Sequence, residues 1–184
     1  MHVGLFHGFN VSDNGLRTTD RLRPMLEADG FKVLEGDYLW KGLMGVKMCN
    51  KSMARLVAGL FPPGGVAIGH SNGCNLIHWA AHYGADFARV IYINPALDKD
   101  ARLAPQVDKA LVIACPHDLP VLAARLIPWV SWGSMGRDGY VGEDPRYVSV
   151  IRQDKCSHSD IFENLERFYP IFRTFIQEAA TCCL

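Results

Sequence analysis

Short apolar runs recur along the chain and alternate with segments whose apolar residues repeat at helical spacing. The runs predict six β-strands, at residues 2–7, 31–36, 66–69, 89–95, 110–115 and 147–151. The helical patterns predict helices near residues 16–28, 46–60, 72–83 and 160–180. The later runs are nearly continuous in apolar residues instead of alternating, which is typical of parallel strands covered on both faces. We therefore expect an α/β fold: a three-layer α/β/α sandwich with about six mostly parallel strands.

Turn-forming and capping residues mark the predicted ends of two helices. Asp29-Gly30 follows the first helical pattern and should end that helix. The last helix is expected to begin with Asp160-x-x-Glu163, which resembles a capping box. Pro170 falls inside the last pattern, so we expect it to break or kink the helix.

Neither strand nor helix spacing continues between Pro128 and Arg146. This segment contains aromatic residues and glycines without a period: Trp129, Trp132, Gly133, Gly136, Gly139, Tyr140 and Gly142. A surface loop lying over the strand ends explains the pattern as well as a plain glycine-rich connection does.

The third apolar run leads directly into Gly69-His70-Ser71-Asn72-Gly73, which matches the pattern G-x-S-x-G. The run before this motif and the helical pattern after it predict a sharp turn that lifts the Ser71 hydroxyl above the sheet. A Cβ at Gly69 or Gly73 would crowd such a turn, because strand and helix pass close together. Ser71 is therefore the candidate nucleophile.

Two further polar residues follow later strands and complete a possible catalytic triad. Ligands of an open parallel sheet bind beyond the carboxyl ends of its strands, where residues from several strands meet. Ser71 follows the third strand, Asp118 the fifth and His158 the sixth. His158 would take the serine proton, and Asp118 would orient the imidazole. Asp98, after the fourth strand, is the alternative acid.

Three segments together resemble the α/β-hydrolase superfamily, at residues 68–73, 115–120 and 155–162. The chain is similar in particular to small serine hydrolases without a cap domain, of the retinoblastoma-binding-protein-9-like type. The resemblance covers nearly the whole chain and implies a minimal α/β-hydrolase fold. The order serine, aspartate, histidine is the one that this superfamily uses.

A serine hydrolase also needs two backbone donors for the oxyanion of its tetrahedral intermediate. Asn72, at the start of the predicted helix, should supply one N–H group. His7-Gly8-Phe9 resembles the His-Gly turn that the superfamily has after its first strand, so the second donor is expected to be the N–H of Phe9. Asn10 is the second choice.

Further residues are candidates for the surroundings of the substrate. Asn10 could point its side chain at the site, and His7 belongs to the same turn. Trp40 lies in an apolar loop that either lines an acyl pocket or is buried for packing. His70 is expected to support the turn at Ser71, and His117 could form a wall of the site.

The sequence gives little support for a metal site or an organic cofactor. His78 and His82 lie four residues apart on a predicted helix, but no glutamate stands between them as in H-E-x-x-H. A dinucleotide-binding domain would have the same alternation of strands and helices, but the first strand is not followed by G-x-G-x-x-G. We expect neither a metal nor a cofactor.

Length and charge exclude several function classes. The chain has 184 residues, which is enough for one domain spanning residues 1–184. Its 19 basic residues balance 19 acidic ones, so we expect no nucleic acid or membrane as partner. Its start does not resemble a signal peptide and no run could span a bilayer, which favours a soluble, cytoplasmic protein.

The cysteines are expected to be reduced and mostly buried. Their positions show neither a C-x-x-C pair nor zinc-like spacing: Cys49, Cys74, Cys115, Cys156, Cys182 and Cys183. Oxidation of the tail pair Cys182-Cys183 is the alternative that the sequence leaves open.

The expected reaction is hydrolysis of a small or medium carboxylic ester through an acyl-serine intermediate. The same triad could cleave a thioester, an amide or a peptide, because it carries no information on the leaving group. A binding module on a hydrolase scaffold is the alternative outside the enzyme class. The sequence does not indicate an oligomeric state.

Overall fold

A computed structural model of the chain describes residues 1–9, 13–36, 43–120, 132–152 and 156–181. The strands are β1 (His2–Phe6), β2 (Lys32–Glu35), β3 (Gly65–His70), β4 (Phe87–Ile93), β5 (Lys109–Ala114) and β6 (Tyr147–Ile151). The helices are α1 (Arg23–Ala28), α2 (Leu43–Leu60), α3 (Asn72–His82), α4 (Met135–Asp138) and α5 (Leu165–Thr181), with short 3₁₀ helices at Thr19–Leu22 and Asp160–Glu163.

All six strands belong to one parallel sheet in the order β2-β1-β3-β4-β5-β6. The prediction of six mostly parallel strands is confirmed. The strand order reverses direction after β2, so β1 and β3 lie next to each other near the centre of the sheet. Their carboxyl ends therefore bring the turn after β1 beside the motif around Ser71.

Helices cover both faces of the sheet and form the expected three layers. On β3 the side chains alternate: Val66 and Ile68 face one cluster of buried residues, and Ala67 faces the other. The first cluster includes residues of α1 and α5, and the second includes residues of α2 and α3. Burial on both faces explains why the central strands read as unbroken apolar runs.

The predicted helix at 16–28 is shorter in the structure, where α1 begins at Arg23 after the 3₁₀ helix Thr19–Leu22. Gly15 precedes these turns with a positive φ of 83°. The apolar spacing from Leu16 onward continues through turns that are not α-helical, and Leu16 itself is exposed. Side-chain period alone did not distinguish an α-helix from successive tight turns.

The start of the last helix differs from the prediction. Residues Asp160–Glu163 form a 3₁₀ helix, and α5 begins only at Leu165. The Asp160 carboxylate is 2.6 Å from Arg152, whose side chain is buried, so it neutralises that guanidinium. The predicted capping box is therefore wrong.

Pro170 neither ends nor divides α5, which continues to Thr181. Pro170 has no N–H to donate to the carbonyl of Glu166. Both residues are exposed, so water can solvate that carbonyl. Of the two effects expected of Pro170, the break is therefore wrong, and the kink stays a prediction.

Candidate active site

Ser71 occupies a sharp turn between β3 and α3. Its backbone angles are φ 53° and ψ −117°, a conformation that L-residues rarely adopt. The N–H of Ser71 donates to the carbonyl of Ile93 at 3.0 Å, and its own carbonyl accepts from the N–H of Ala96 at 3.2 Å. The end of β4 therefore holds the turn in its strained form.

The two glycines of the motif are required by close packing. A Cβ on Gly69 would lie 2.8 Å from the backbone nitrogen of Cys74. A Cβ on Gly73 would lie 2.2 Å from the carbonyl oxygen of Phe6 and 2.5 Å from that of His7. The start of α3 thus packs directly on the backbone that follows β1.

Asp118 and His158 come together after β5 and β6. Nδ1 of His158 donates to Oδ2 of Asp118 at 2.6 Å. The Asp118 side chain is completely buried, whereas the His158 side chain keeps 20% of its exposure. In the neutral form of the imidazole, the tautomer with its proton on Nδ1 has an Nε2 that can accept a proton. Asp98 is exposed on the surface.

The backbone of His158 is anchored to the two strands beside Ser71. Its carbonyl accepts hydrogen bonds from Nδ2 of Asn94, at 2.7 Å, and from Nε2 of His70, at 2.9 Å. The rings of His70 and His158 lie 4.6 Å apart between centroids. Because His70 precedes Ser71 and Asn94 follows Ile93, these bonds bring His158 to the edge of the sheet that carries Ser71.

His70 is a buried neutral imidazole. Burial and the nearby His158 ring lower the pKa of His70 to about 3. A carbonyl can only accept, so Nε2 carries the proton that is donated to His158. This arrangement makes His70 a support for the backbone of His158 as well as part of the turn at Ser71.

The turn after β1 lies against Ser71. A Cβ on Gly8 would lie 3.3 Å from the Cβ of Ser71 and 3.2 Å from Nδ1 of His70. Phe9 follows directly and is half-buried. Asn72 is the first residue of α3, where a backbone N–H has no intrahelical acceptor. The two expected oxyanion donors thus belong to segments that flank the Ser71 side chain.

A network of side-chain amides surrounds Asn72. Its side chain exchanges hydrogen bonds with Asn50 on α2, at 2.8 and 3.2 Å. The indole N–H of Trp132 also donates to Oδ1 of Asn72, at 3.2 Å, and the Trp132 ring lies 5.6 Å from that of Phe9. Trp132 is therefore linked to both residues expected to supply oxyanion donors.

The other predicted substrate-binding residues occupy different environments. His7 is buried, and its Nδ1 donates to the carbonyl of Gly8 at 2.9 Å. His117 is exposed, next to Asp118 in sequence. Asn10 and Trp40 lie outside the described residues.

Cys115 and Cys156 form a disulfide, with their Cα atoms 5.9 Å apart. The expectation of reduced thiols is wrong for this pair. The two residues are 41 positions apart in sequence but follow the neighbouring strands β5 and β6. Sequence spacing could not indicate the bond, because the pairing of the strands creates the short distance.

Sequence reasoning missed three side chains of this region: Asn50, Asn94 and Cys156 as a disulfide partner. Asn94 offers a usable signal, because it is an asparagine directly after a strand, and asparagine tolerates a positive φ, here 44°, better than most residues. Asn50 gives no such signal, because it lies among other polar residues of an amphipathic helix.

His78 and His82 lie with their rings 4.6 Å apart. Among the described residues, no group of three or more histidine, cysteine, aspartate or glutamate side chains is arranged to hold a metal ion. Nor does any helix in the described part of the chain have the length and apolar character needed to cross a membrane.

No known protein-family model matches the sequence, and no curated protein matches it significantly. Solved structures do match. A hydrolase from Oleispira antarctica is 15% identical, with a TM-score of 0.61 over 96% of this chain and 90% of that one. The pyrethroid hydrolase PytH is 16% identical, with a TM-score of 0.59 over 98% of each chain.

Alpha/beta hydrolase domain-containing protein 10 from mouse is 12% identical, with a TM-score of 0.56 over 85% of this chain and 81% of that one. At such identities the similarity concerns the fold. The chain has the α/β-hydrolase fold, with Ser71 at the turn after β3.

Proposed function

We propose that this protein is a serine hydrolase that cleaves carboxylic esters of small or medium size. The observation that carries the proposal is the hydrogen bond between Asp118 and His158 at the edge of the sheet where Ser71 occupies a strained turn. Matching folds in proteins named as hydrolases support the same reaction class.

The reaction would proceed in two halves. Oγ of Ser71 attacks the ester carbonyl carbon while Nε2 of His158 takes the hydroxyl proton. The tetrahedral oxyanion receives hydrogen bonds from the N–H groups of Phe9 and Asn72 and then collapses, and His158 gives its proton to the departing alcohol. Water, deprotonated by His158, then attacks the acyl-Ser71 ester, and His158 gives that proton to Oγ of Ser71 as the carboxylic acid leaves.

Asp118 has a supporting role in this sequence. Its carboxylate holds the proton on Nδ1 of His158 and stabilises the imidazolium that forms during each attack. Complete burial of the carboxylate strengthens this interaction, since solvent does not screen it. The proposal needs no metal ion or organic cofactor, and its partner is a small-molecule substrate.

The test is labelling with a fluorophosphonate probe together with hydrolysis of p-nitrophenyl acetate. Ser71→Ala should lose both, because the nucleophile is absent. Ser52→Ala, at an exposed position of α2, is the matched control and should retain both. Unchanged hydrolysis in Ser71→Ala, with the wild-type fold intact by circular dichroism, would overturn the proposal.

A second pair of variants tests the acid. Asp118→Asn should lower kcat by on the order of 10⁴-fold, since the amide favours the wrong imidazole tautomer. Asp98→Asn should behave like the wild type. The reverse result would transfer the role of the acid to Asp98.

A panel of esters, thioesters and amides with one common acyl group addresses the leaving group. We expect the ester to have the highest kcat/KM. A higher kcat/KM for the thioester or the amide would leave the proposed triad unchanged and would change the proposed substrate class. The half-buried rings of Phe9 and Trp132 beside the proposed oxyanion donors favour an apolar group on the substrate.

A further inference from the structure

The Cys115–Cys156 disulfide joins the two segments that carry Asp118 and His158. Cys115 follows β5 directly and precedes Asp118 by three residues. Cys156 precedes His158 by two residues in the segment after β6. The covalent bond and the Asp118–His158 hydrogen bond therefore connect the same pair of segments a few residues apart.

The backbone pairing between the two strands ends before this point. The last paired residues are Ala114 and Ile151, and the N–H of Arg152 donates to the carbonyl of Ala114 at 2.9 Å. Cys115 is the next residue after Ala114, and the disulfide holds its Cα atom 5.9 Å from that of Cys156. Disulfide geometry permits only a narrow range of such distances.

The acid and the base depend on accurate relative placement. Their hydrogen bond is 2.6 Å long, and Asp118 is buried, so water cannot easily replace His158 as its partner. Misplacement of a catalytic group by about 1 Å can lower the rate by on the order of 10²-fold. Cys115 lies three residues from Asp118 and Cys156 two residues from His158, whose carbonyl group is also held by Asn94 and His70.

The other parts of the site are held independently. Ser71 is fixed by hydrogen bonds to the end of β4, and Gly73 packs on the backbone after β1. Neither segment includes Cys115 or Cys156. Loss of the disulfide should therefore impair proton transfer and leave the nucleophile and the substrate-binding surface in place.

We propose that the Cys115–Cys156 disulfide positions the Asp118–His158 pair and that its reduction by a dithiol switches the enzyme to a slow form. This inference rests on the proposed serine hydrolase function. It assigns the bond to control of the acid–base pair rather than to stability alone.

The switching step is thiol–disulfide exchange. A thiolate of the dithiol attacks one sulfur of the protein bond and releases the other cysteine as a thiolate, which takes a proton. The second thiol of the reductant then resolves the mixed disulfide. The protein gains two electrons and two protons as two thiols, and the dithiol becomes a disulfide. Cys156 keeps 6% exposure and Cys115 none, so attack is expected at Cys156.

The experiment compares the oxidised protein with the same protein after treatment with dithiothreitol and removal of the reductant. Peptide mapping without reduction first establishes the Cys115–Cys156 link. Reduction should lower kcat for p-nitrophenyl acetate by about 10²-fold, with KM changed less than about threefold. Reoxidation with oxidised dithiothreitol should restore kcat.

Proton NMR supplies a readout that does not need activity. The Nδ1 proton of His158, held in a short hydrogen bond to a carboxylate, should give a strongly deshielded resonance in the oxidised protein. Asp118→Asn identifies this resonance by removing it. Reduction should weaken or broaden it, while near-ultraviolet circular dichroism reports that the remaining packing is retained.

Two cysteine variants complete the test. Cys115→Ala/Cys156→Ala should resemble the reduced protein and should not respond to dithiothreitol. Cys182→Ser/Cys183→Ser should respond as the wild type does, because the tail cysteines are not part of the proposed bond. If the double alanine variant does not fold, the changes of kcat and of the His158 resonance on reduction and reoxidation of the wild type still test the positioning role of the disulfide.

The results distinguish the two proposals. Equal kcat and an equal deshielded resonance in the oxidised and reduced proteins would overturn the positioning role. Absence of activity and of fluorophosphonate labelling in the oxidised protein would overturn the hydrolase function, while the resonance would still show whether the disulfide positions His158.

Discussion

At the scale of single residues, the backbone of Ser71 is the most unusual feature of the site. Its φ of 53° and ψ of −117° cost on the order of 1–3 kcal/mol for a residue with a Cβ. Two backbone hydrogen bonds, to Ile93 and from Ala96, hold this conformation. The strained turn lifts the hydroxyl out of the strand, as the proposed role of Ser71 as nucleophile requires.

This strain predicts different stabilities for two variants at Ser71. The free energy of unfolding should be about 1 kcal/mol higher for Ser71→Gly than for Ser71→Ala, because glycine adopts positive φ without a steric penalty. The glycine variant should therefore be the more stable one. Urea denaturation of both variants measures the difference. Equal stabilities would contradict the view that the turn stores strain at this residue.

At the scale of elements, the site depends on how closely α3 approaches the turn after β1. A Cβ on Gly73 would lie 2.2 Å from the carbonyl oxygen of Phe6. The obstacle is backbone on both sides, which cannot rotate away as a side chain can. The contact also places the start of α3, which carries Asn72, against the backbone that leads into the turn with Phe9.

Gly73→Ala should therefore lower the free energy of unfolding by on the order of 2–3 kcal/mol and reduce kcat, because the two elements must move apart. Gly59→Ala is the matched control. A Cβ on Gly59, in α2, would meet nothing within 4 Å, and alanine there should stabilise the protein by about 0.5–1 kcal/mol. Denaturation curves and ester hydrolysis measure both effects. Equal behaviour of the two variants would contradict the packing argument.

At the scale of the whole molecule, two buried histidines connect stability to pH. Burial lowers the pKa of His70 to about 3 and that of His78 to about 4. In the unfolded chain both should titrate near the ordinary value of about 6.5. Between these values the unfolded state binds more protons than the folded state, so acid favours unfolding.

The free energy of unfolding should be at its full value above about pH 6.5 and should fall as the pH decreases toward 4. Each histidine contributes up to about 1.4 kcal/mol per pH unit in that window. His70→Gln should reduce the slope, since glutamine cannot take up a proton. Ser52→Ala, at an exposed position without a titratable group, is the control and should keep the wild-type slope.

Urea denaturation at several pH values between about 4.5 and 7.5 measures these slopes, because the free energy of unfolding is expected to change with pH in this range. An identical slope in His70→Gln and the wild type would contradict the assignment of a buried neutral imidazole to His70.

A location in the cytoplasm stays a prediction, as does a single domain over residues 1–184. In a reducing compartment the Cys115–Cys156 bond would be subject to the exchange proposed above.

The sequence by itself determined the features that depend on neighbouring residues. Apolar runs indicated six mostly parallel strands in α/β alternation, and the pattern is clearest in the central strands β3, β4 and β5, which are buried on both faces. The turn at Ser71 was also visible, since Gly69 and Gly73 are required within the motif itself. The places of Asp118 and His158 followed from a general property of parallel sheets, whose strand ends meet at one edge.

Only the tertiary structure decided features that depend on distances between remote segments. It selected Asp118 over Asp98 as the partner of His158 and joined Cys115 to Cys156 across two adjacent strands. It also turned Asp160 toward Arg152, which displaced the expected helix cap. These choices depend on which strands pair and which charges become buried, and residue spacing along the chain carries no measure of either.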